Sequence, residues 1–232
     1  RTTSQAVHTN RKLHTNTIAS YWSAFLGTLH AAHRDRKIKE NPCPYLERVK
    51  TIPTDRVGLS AEELIQLAET PCDVPILRTA FLFSCLTGLR KSDVKPFSWE
   101  LIQPEADGTL YITDRMQKTD QIVHNPIGEE ALALIDDGIR EGIVFRGFKD
   151  SMTQAPLKRW VKAAGITKHI TYHSSRHTFC SLQLHAGTDV NTVKDLAGHK
   201  NISTTQQYLD SVDSRKKDAA NRITIKRKEE HP

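Results

Sequence analysis

The sequence lacks most of what would suit it to a membrane, a secretory route or a metal-nucleated fold. Its 232 residues include only four cysteines, Cys43, Cys72, Cys85 and Cys180, scattered and without a C-x-x-C pair. That spacing excludes a disulfide scaffold and a zinc ribbon, and fits the reduced thiols of a cytosolic protein. Aromatic residues make up only 6% of the chain. The longest apolar stretch, 76–89, is interrupted by Arg78 and Ser84 and is too short to span a bilayer. The opening Arg1-Thr2-Thr3-Ser4-Gln5 has no apolar run of the kind a secretory leader needs, and the missing initial Met suggests a fragment or a processed chain. Internal repeats and low-complexity tracts are also missing.

What is present is a globular composition, 38% hydrophobic and 26% charged, long enough for one large domain or two modest ones. The net charge of +6 is unevenly placed. Residues 1–53 hold nine basic against three acidic side chains, and the last 22 residues hold seven against four. The stretch 54–210 is left at −3. Basic ends on a nearly neutral body suggest a polyanionic partner, most economically nucleic acid. A merely solubilising surface is the other reading, and charge alone does not separate the two.

Residues 1–16 are polar, without periodicity, and read as irregular. Ile18, Tyr21, Trp22, Phe25, Leu26 and Leu29 then recur at helical spacing, and the segment ending in Asn41-Pro42-Cys43-Pro44 stops that helix. One or two helices cannot close a core, so 1–53 is a piece of a larger helical domain or an appendage docked elsewhere. Residues 50–57 read as a linker. Ser60 and Glu63 form a capping box that opens a short helix. A long apolar helix follows from about Asp73 to Thr87, ended by Gly88. Residues 109–113 and 121–127 are strand-like and make a hairpin with Pro126 at its edge or end. Helical patterns return at 128–136, 153–164, 173–186 and 190–196. The fold class expected is mainly α with a small antiparallel β-sheet.

Four islands carry chemistry. Leu86-Thr-Gly-Leu-Arg-Lys-Ser-Asp93 delivers Arg90 at a helix end. Arg115-Met-Gln-Lys-Thr-Asp120 puts Lys118 at the hairpin tip. His173-Ser-Ser-Arg-His177 places His173 and Arg176 at a helix start. Leu196-Ala-Gly-His199 leads to Tyr208. Singly, each has a plain structural explanation. Together, two arginines, a lysine, two histidines and a tyrosine are a kit for attacking a phosphodiester without a metal. Arginine forks bind the non-bridging oxygens, a tyrosine needs a base or positive field before it attacks, and a lysine can protonate the leaving alkoxide.

These boxes resemble those of the tyrosine recombinases of the phage integrase family, mobile-element integrases among them. Thr87-Gly-Leu-Arg90 resembles the first box, and His173-Ser-Ser-Arg176 with Leu196-Ala-Gly-His199 resembles the second. Tyr208, nine residues beyond His199, stands where the nucleophile is expected, and Lys118 matches the hairpin lysine between the boxes. The resemblance covers roughly 54–210. It implies a catalytic domain over 54–232, with a tail from about 211, preceded in 1–53 by the C-terminal part of a helical core-binding domain and a linker.

The resemblance also implies roles. Tyr208 attacks the scissile phosphate to give a 3′-phosphotyrosyl link, while Arg90 and Arg176 hold the non-bridging oxygens. His173 serves as base or relay for Tyr208, Lys118 protonates the leaving 5′-oxygen, and His199 donates to the phosphate. Asp93 and His177 support these groups. No metal or nucleotide cofactor is expected. The implied partners are double-stranded DNA at specific recombination sites and further copies of the chain, in a tetramer on two sites with exchange of C-terminal tails. The setting implied is the bacterial cytoplasm, at the nucleoid, without membrane association. Competing readings are a metal site on His173 and His177, a non-catalytic DNA-binding protein on the same fold, and a type IB topoisomerase. The metal reading lacks a Glu between the histidines and an evident third ligand.

Overall fold

The computed structural model describes residues 5–6, 9–52, 56–115 and 122–209. The chain forms two compact units, Arg1–Asp55 and Arg56–Pro232.

In the first unit, β1 (Gln5–Ala6) and β2 (Thr9–Lys12) pair antiparallel, where the sequence reads as irregular. Strands this short offer no alternation to detect. The following helix α1 (Thr15–Arg34) is capped by the His14 side chain, which accepts from the Asn16 amide. His33 and Arg34 sit in its last turn, where positive charge suits the helix dipole. The returning chain is tied to α1 by hydrogen bonds. The Asn16 side chain donates to and accepts from the Ile52 backbone, both at 2.8 Å, and Trp22 Nε1 donates to the Glu47 carbonyl at 2.8 Å. Only Ala19 of α1 is buried, while Tyr21 and Phe25 are 65% and 50% exposed.

The second unit begins with α2 (Ala61–Glu69), whose capping box is complete: the Ser60 hydroxyl accepts from Glu63 N and Glu63 accepts from Ser60 N. Helix α3 (Pro75–Thr87) starts with a proline, which lacks the N–H that a first turn leaves unused. It ends at Gly88 in the left-handed conformation, φ 71°. The short α4 (Lys91–Val94) follows directly. The sheet then forms from β3 (Ile102–Pro104), β4 (Leu110–Arg115) and β5 (Ile122–Pro126), antiparallel in that order, with Ile112 facing Ile102 on one side and Asn125 on the other. The expected hairpin is β4–β5. The third strand, three residues ending in proline, has no sequence signature. Helices α5 (Glu129–Ile135), α6 (Ala155–Ala163), α7 (Ser174–His185), α8 (Val190–Leu196) and α9 (Ser203–Gln206) complete the described part.

Helix α3 is the centre of the larger core, packed on α5 and α7. Phe81 meets Trp160 and Tyr172 edge-on at 5.9 and 5.7 Å, and Phe83 packs on Phe97 and Phe145. The polar ends of those aromatics are satisfied. Trp160 Nε1 donates to the Thr70 carbonyl and the Tyr172 hydroxyl donates to the Ala80 carbonyl. A smaller apolar cluster gathers Phe179, Cys180 and Leu184 of α7 with Val193, Ala197 and Tyr208. One of the candidate site residues, Tyr208, is a member of this second cluster. Among the described residues, no helix is long and apolar enough to cross a membrane.

Candidate active site

The site is built around the turn that follows α8. Three successive carbonyls of that turn accept hydrogen bonds from three separate elements. Leu196 O accepts from Asn125 Nδ2 of β5 at 2.6 Å, Ala197 O from Arg176 of α7, and Gly198 O from Arg90 Nη2 at 3.2 Å. Arg176 also donates from Nη1 to Gly88 O at 2.7 Å, across the end of α3. Arg90, the residue before α4, lies beside the same helix end, with its Nη1 4.0 Å from the buried Asp93 carboxylate. Asp93 in turn accepts from Ser92 Oγ at 3.3 Å.

Both guanidiniums are withdrawn from water, Arg176 to 2% exposure. Burial, together with the nearby positive charge of Arg90, lowers the Arg176 pKa to about 10. Burial likewise lowers that of Arg90, against the pull of Asp93. Both remain charged at neutral pH. Two like charges held side by side out of solvent create a field that an anion would relieve.

His199 follows the turn and is 6% exposed, with Nδ1 2.8 Å from the Thr205 hydroxyl of α9. Burial, then Arg176 and Arg90, push its pKa down to about 3, so the ring is neutral at physiological pH. Thr205 has no marking signal in the sequence beyond its nearness to the histidine.

Tyr208 lies just past α9, its ring in the second cluster and 4% exposed. Its hydroxyl is 2.5 Å from His177 Nδ1 and 3.2 Å from Arg56 Nη1. Arg56 also stacks on the ring, with Cζ 5.4 Å from its centroid. An arginine only donates, so the phenol oxygen accepts from Arg56 and its hydrogen is available to His177 Nδ1. In that arrangement His177 is the Nε2–H tautomer. Burial and the neighbouring His173 lower the His177 pKa to about 4, which keeps it an uncharged acceptor.

His177, expected as a support, is the histidine that meets the Tyr208 hydroxyl. His173, expected to take that proton, is exposed, and its ring packs edge-on against His177 at 4.5 Å. Four residues apart, the two histidines lie on one side of the start of α7, and the packing of the Tyr208 ring decides which of them meets the hydroxyl. Arg56 falls inside the segment read as linker. Lys118 lies outside the described residues, as does the tail from 210. Among the described residues, no group of three or more His, Cys, Asp or Glu side chains is placed to hold a metal ion.

The model of the phage integrase family matches residues 59–215. The chain belongs to the phage integrase family. Over 185 residues it is 27% identical to the tyrosine recombinase XerC of Xylella fastidiosa, an alignment covering 74% of this chain and 62% of that one. Over 70 residues it is 46% identical to an integrase/recombinase of Escherichia coli, covering 30% of this chain and 21% of the relative. The chain thus spans less than two thirds of the curated relatives it matches. Among solved structures, a lambda integrase dimer bound to a core site has a TM-score of 0.67 at 19% identity, covering 93% of this chain and 78% of that one. The Tn1549 transposon integrase in complex with circular intermediate DNA gives 0.62 at 20% identity, covering 88% and 79%. The phage integrase fold is therefore the one that carries the Arg90, Arg176, His199 and Tyr208 arrangement.

Proposed function

We propose that this chain cleaves and rejoins DNA at specific recombination sites through a 3′-phosphotyrosyl intermediate. The observation that carries this reading is the anchoring of Arg90 and Arg176 on neighbouring carbonyls of one turn, with neutral His199 beside them. Two fixed guanidiniums and an imidazole N–H suit the spread charge of a phosphoryl transition state, because their dipoles need no rearrangement when that charge develops.

In the proposed reaction, the Tyr208 oxygen bonds to phosphorus, and the bond from phosphorus to the 5′-oxygen breaks. The phenol proton leaves towards the histidine pair, His177 and His173, and Lys118 supplies a proton to the departing 5′-oxygen. Arg90, Arg176 and His199 stabilise the non-bridging oxygens. The phosphotyrosyl link preserves the bond energy, so a free 5′-hydroxyl can reverse the step without a nucleotide cofactor.

The partner proposed is double-stranded DNA, and it is supported by the likeness to lambda integrase bound to a core site and to the Tn1549 integrase in complex with circular intermediate DNA. We assign residues 1–53 to the C-terminal part of a core-binding domain and 54–232 to the catalytic domain. The working assembly is a tetramer on two DNA sites, with tails from about 211 exchanged between copies, acting at the bacterial nucleoid.

The test is covalent capture on a nicked substrate whose short 5′ product diffuses away. The wild-type chain should accumulate a 3′-phosphotyrosyl adduct, and Tyr208→Phe should form none while retaining its DNA affinity. An undiminished adduct in that variant overturns the assignment of the nucleophile. Lys118→Ala should cleave ordinary DNA slowly yet recover on a 5′-bridging phosphorothiolate, whose thiolate leaves without a proton.

A further inference from the structure

Arg56 belongs to a segment fixed in place by the helix that carries the histidines. Leu59 N donates to the Thr178 hydroxyl of α7 at 2.9 Å, and Lys168 Nζ reaches the Gly58 carbonyl at 3.3 Å. Gly58 itself runs against the α7 backbone. A Cβ there would stand 3.0 Å from Thr178 N and 3.1 Å from the His177 carbonyl carbon, closer than side chains normally approach. This contact sets Arg56 over Tyr208. Its Nη1 reaches both the phenol oxygen at 3.2 Å and the Thr204 carbonyl of α9 at 3.3 Å, and the guanidinium covers the ring. The side chain therefore grips the helix that precedes the nucleophile, the aromatic face, and the attacking atom.

We infer that Arg56 is a further member of the catalytic machinery, holding the Tyr208 phenol in place and supplying the positive charge that favours its phenolate. The inference rests on Tyr208 being the nucleophile. A cation within hydrogen-bond reach of a phenol stabilises the ionised form, and a ring held from above loses less freedom on reaching the transition state. Three other described groups near the hydroxyl do not replace it. His177 is neutral, the buried Cys180 thiol against Tyr208 is raised to about 11, and Arg176 acts from further off while its donors hold Gly88 and Ala197. Burial and Cys180 raise the Tyr208 pKa, and Arg56 is the principal influence pulling it down. When the proton passes to His177, the charge left on oxygen lies beside the Arg56 guanidinium.

Two measurements on the full chain test this. The first is single-turnover cleavage of the nicked substrate against pH, for wild type, Arg56→Gln and Arg56→Lys. Arg56→Gln should cleave about tenfold or more slowly, as for loss of one preorganised electrostatic donor, with its pH profile displaced to the alkaline side. Arg56→Lys should recover part of the rate and of the displacement. The second measurement uses no DNA. The five tyrosines are replaced biosynthetically by difluorotyrosine, whose phenol ionises within the range where the protein stays folded, and each is titrated by fluorine NMR. Tyr208→Phe identifies the resonance. Arg56→Gln should move the Tyr208 midpoint upward and leave the other four in place.

An unmoved Tyr208 midpoint overturns the inference. So does a cleavage defect that appears only as weaker DNA binding with a shallower salt dependence, which would make Arg56 a contact to the DNA backbone. If wild type fails to cleave while the fluorine midpoint still moves, the proposed reaction fails and the charge coupling between Arg56 and Tyr208 stands.

Discussion

Asn125 on β5 and Leu196 at the end of α8 are joined by a 2.6 Å hydrogen bond across 71 residues of sequence. The bond ties the hairpin leading to Lys118 to the turn that carries His199. Its acceptor is the first of three carbonyls in a row, the next two being held by Arg176 and Arg90. The sheet therefore contributes to the geometry of Arg176, Arg90 and His199, the groups proposed to hold the phosphate.

Asn125→Ala removes that tie. It should lower the stability of the second unit by about 1–2 kcal/mol, the cost of leaving a partly buried carbonyl unpaired. Cleavage should slow more than DNA binding, because the turn bearing His199 loses one of its three supports. Denaturant unfolding and single-turnover rates check the two parts separately.

Gly88 is occupied by glycine for two reasons. Its φ of 71° is strained for any other residue, and a Cβ would stand 2.5 Å from Cδ1 of Phe179. Gly88→Ala should cost about 2–4 kcal/mol from backbone strain and overpacking together. Since the Gly88 carbonyl accepts from Arg176, the residual folded protein should also cleave slowly. A fully active, fully stable alanine variant would contradict the packing described.

Arg176→Lys keeps the charge but provides one ammonium where two guanidinium arms are bound, to Gly88 O and Ala197 O. At least one of those two bonds is lost. Cleavage should fall on the order of 10²-fold or more, with a much smaller change in DNA affinity. Arg90→Lys should behave similarly in rate, since Arg90 Nη2 likewise donates to a backbone carbonyl of the turn, that of Gly198.

The pKa values of two histidines make the fold less stable in acid. Those of His199 and His177 are lowered in the folded chain, to about 3 and about 4, against an ordinary value near 6.5. Between the folded and unfolded values the unfolded chain binds more protons, so stability rises with pH across that interval. The contribution is fully present above about 6.5, the ordinary histidine value, and is lost as pH falls towards 4. Unfolding free energies measured from pH 7 to 4 should decline, and His199→Gln should show the shallower slope. Parallel slopes would remove His199 from the account.

Much of this arrangement was legible in the residues because it rests on local rules. Ser60 and Glu63 mark the start of α2, and the capping box forms as their spacing requires. Gly88 marks the end of α3 because its left-handed backbone conformation is a local signal for a helix stop, whatever Phe179 adds. The strands β4 and β5 alternate well enough to be recognised, whereas β3, with three residues and a terminal proline, does not. The contacts of Arg56 were invisible for a different reason. Its partner is 152 residues away, and a lone arginine in a segment without periodicity carries no mark of what it will meet. The contact of His177, rather than His173, with the Tyr208 hydroxyl has the same origin. Which of the two meets Tyr208 depends on where α9 packs against α7, and no local pattern encodes that.

The three carbonyls of Leu196, Ala197 and Gly198 belong to the backbone, which every amino acid possesses. So far as these bonds are concerned, codons 196 and 197 are free to drift, and only Gly198, at φ 57°, is pinned in identity. Length is another matter. One codon gained or lost between α8 and His199 rotates the carbonyls away from Asn125, Arg176 and Arg90 in a single event. An in-frame indel scan across 196–199 should therefore be uniformly inactivating, where apolar substitutions at the half-buried Leu196 are mild and those at the wholly buried Ala197 are limited by packing rather than by these bonds. The gene is bound here to a count of residues more tightly than to their kinds.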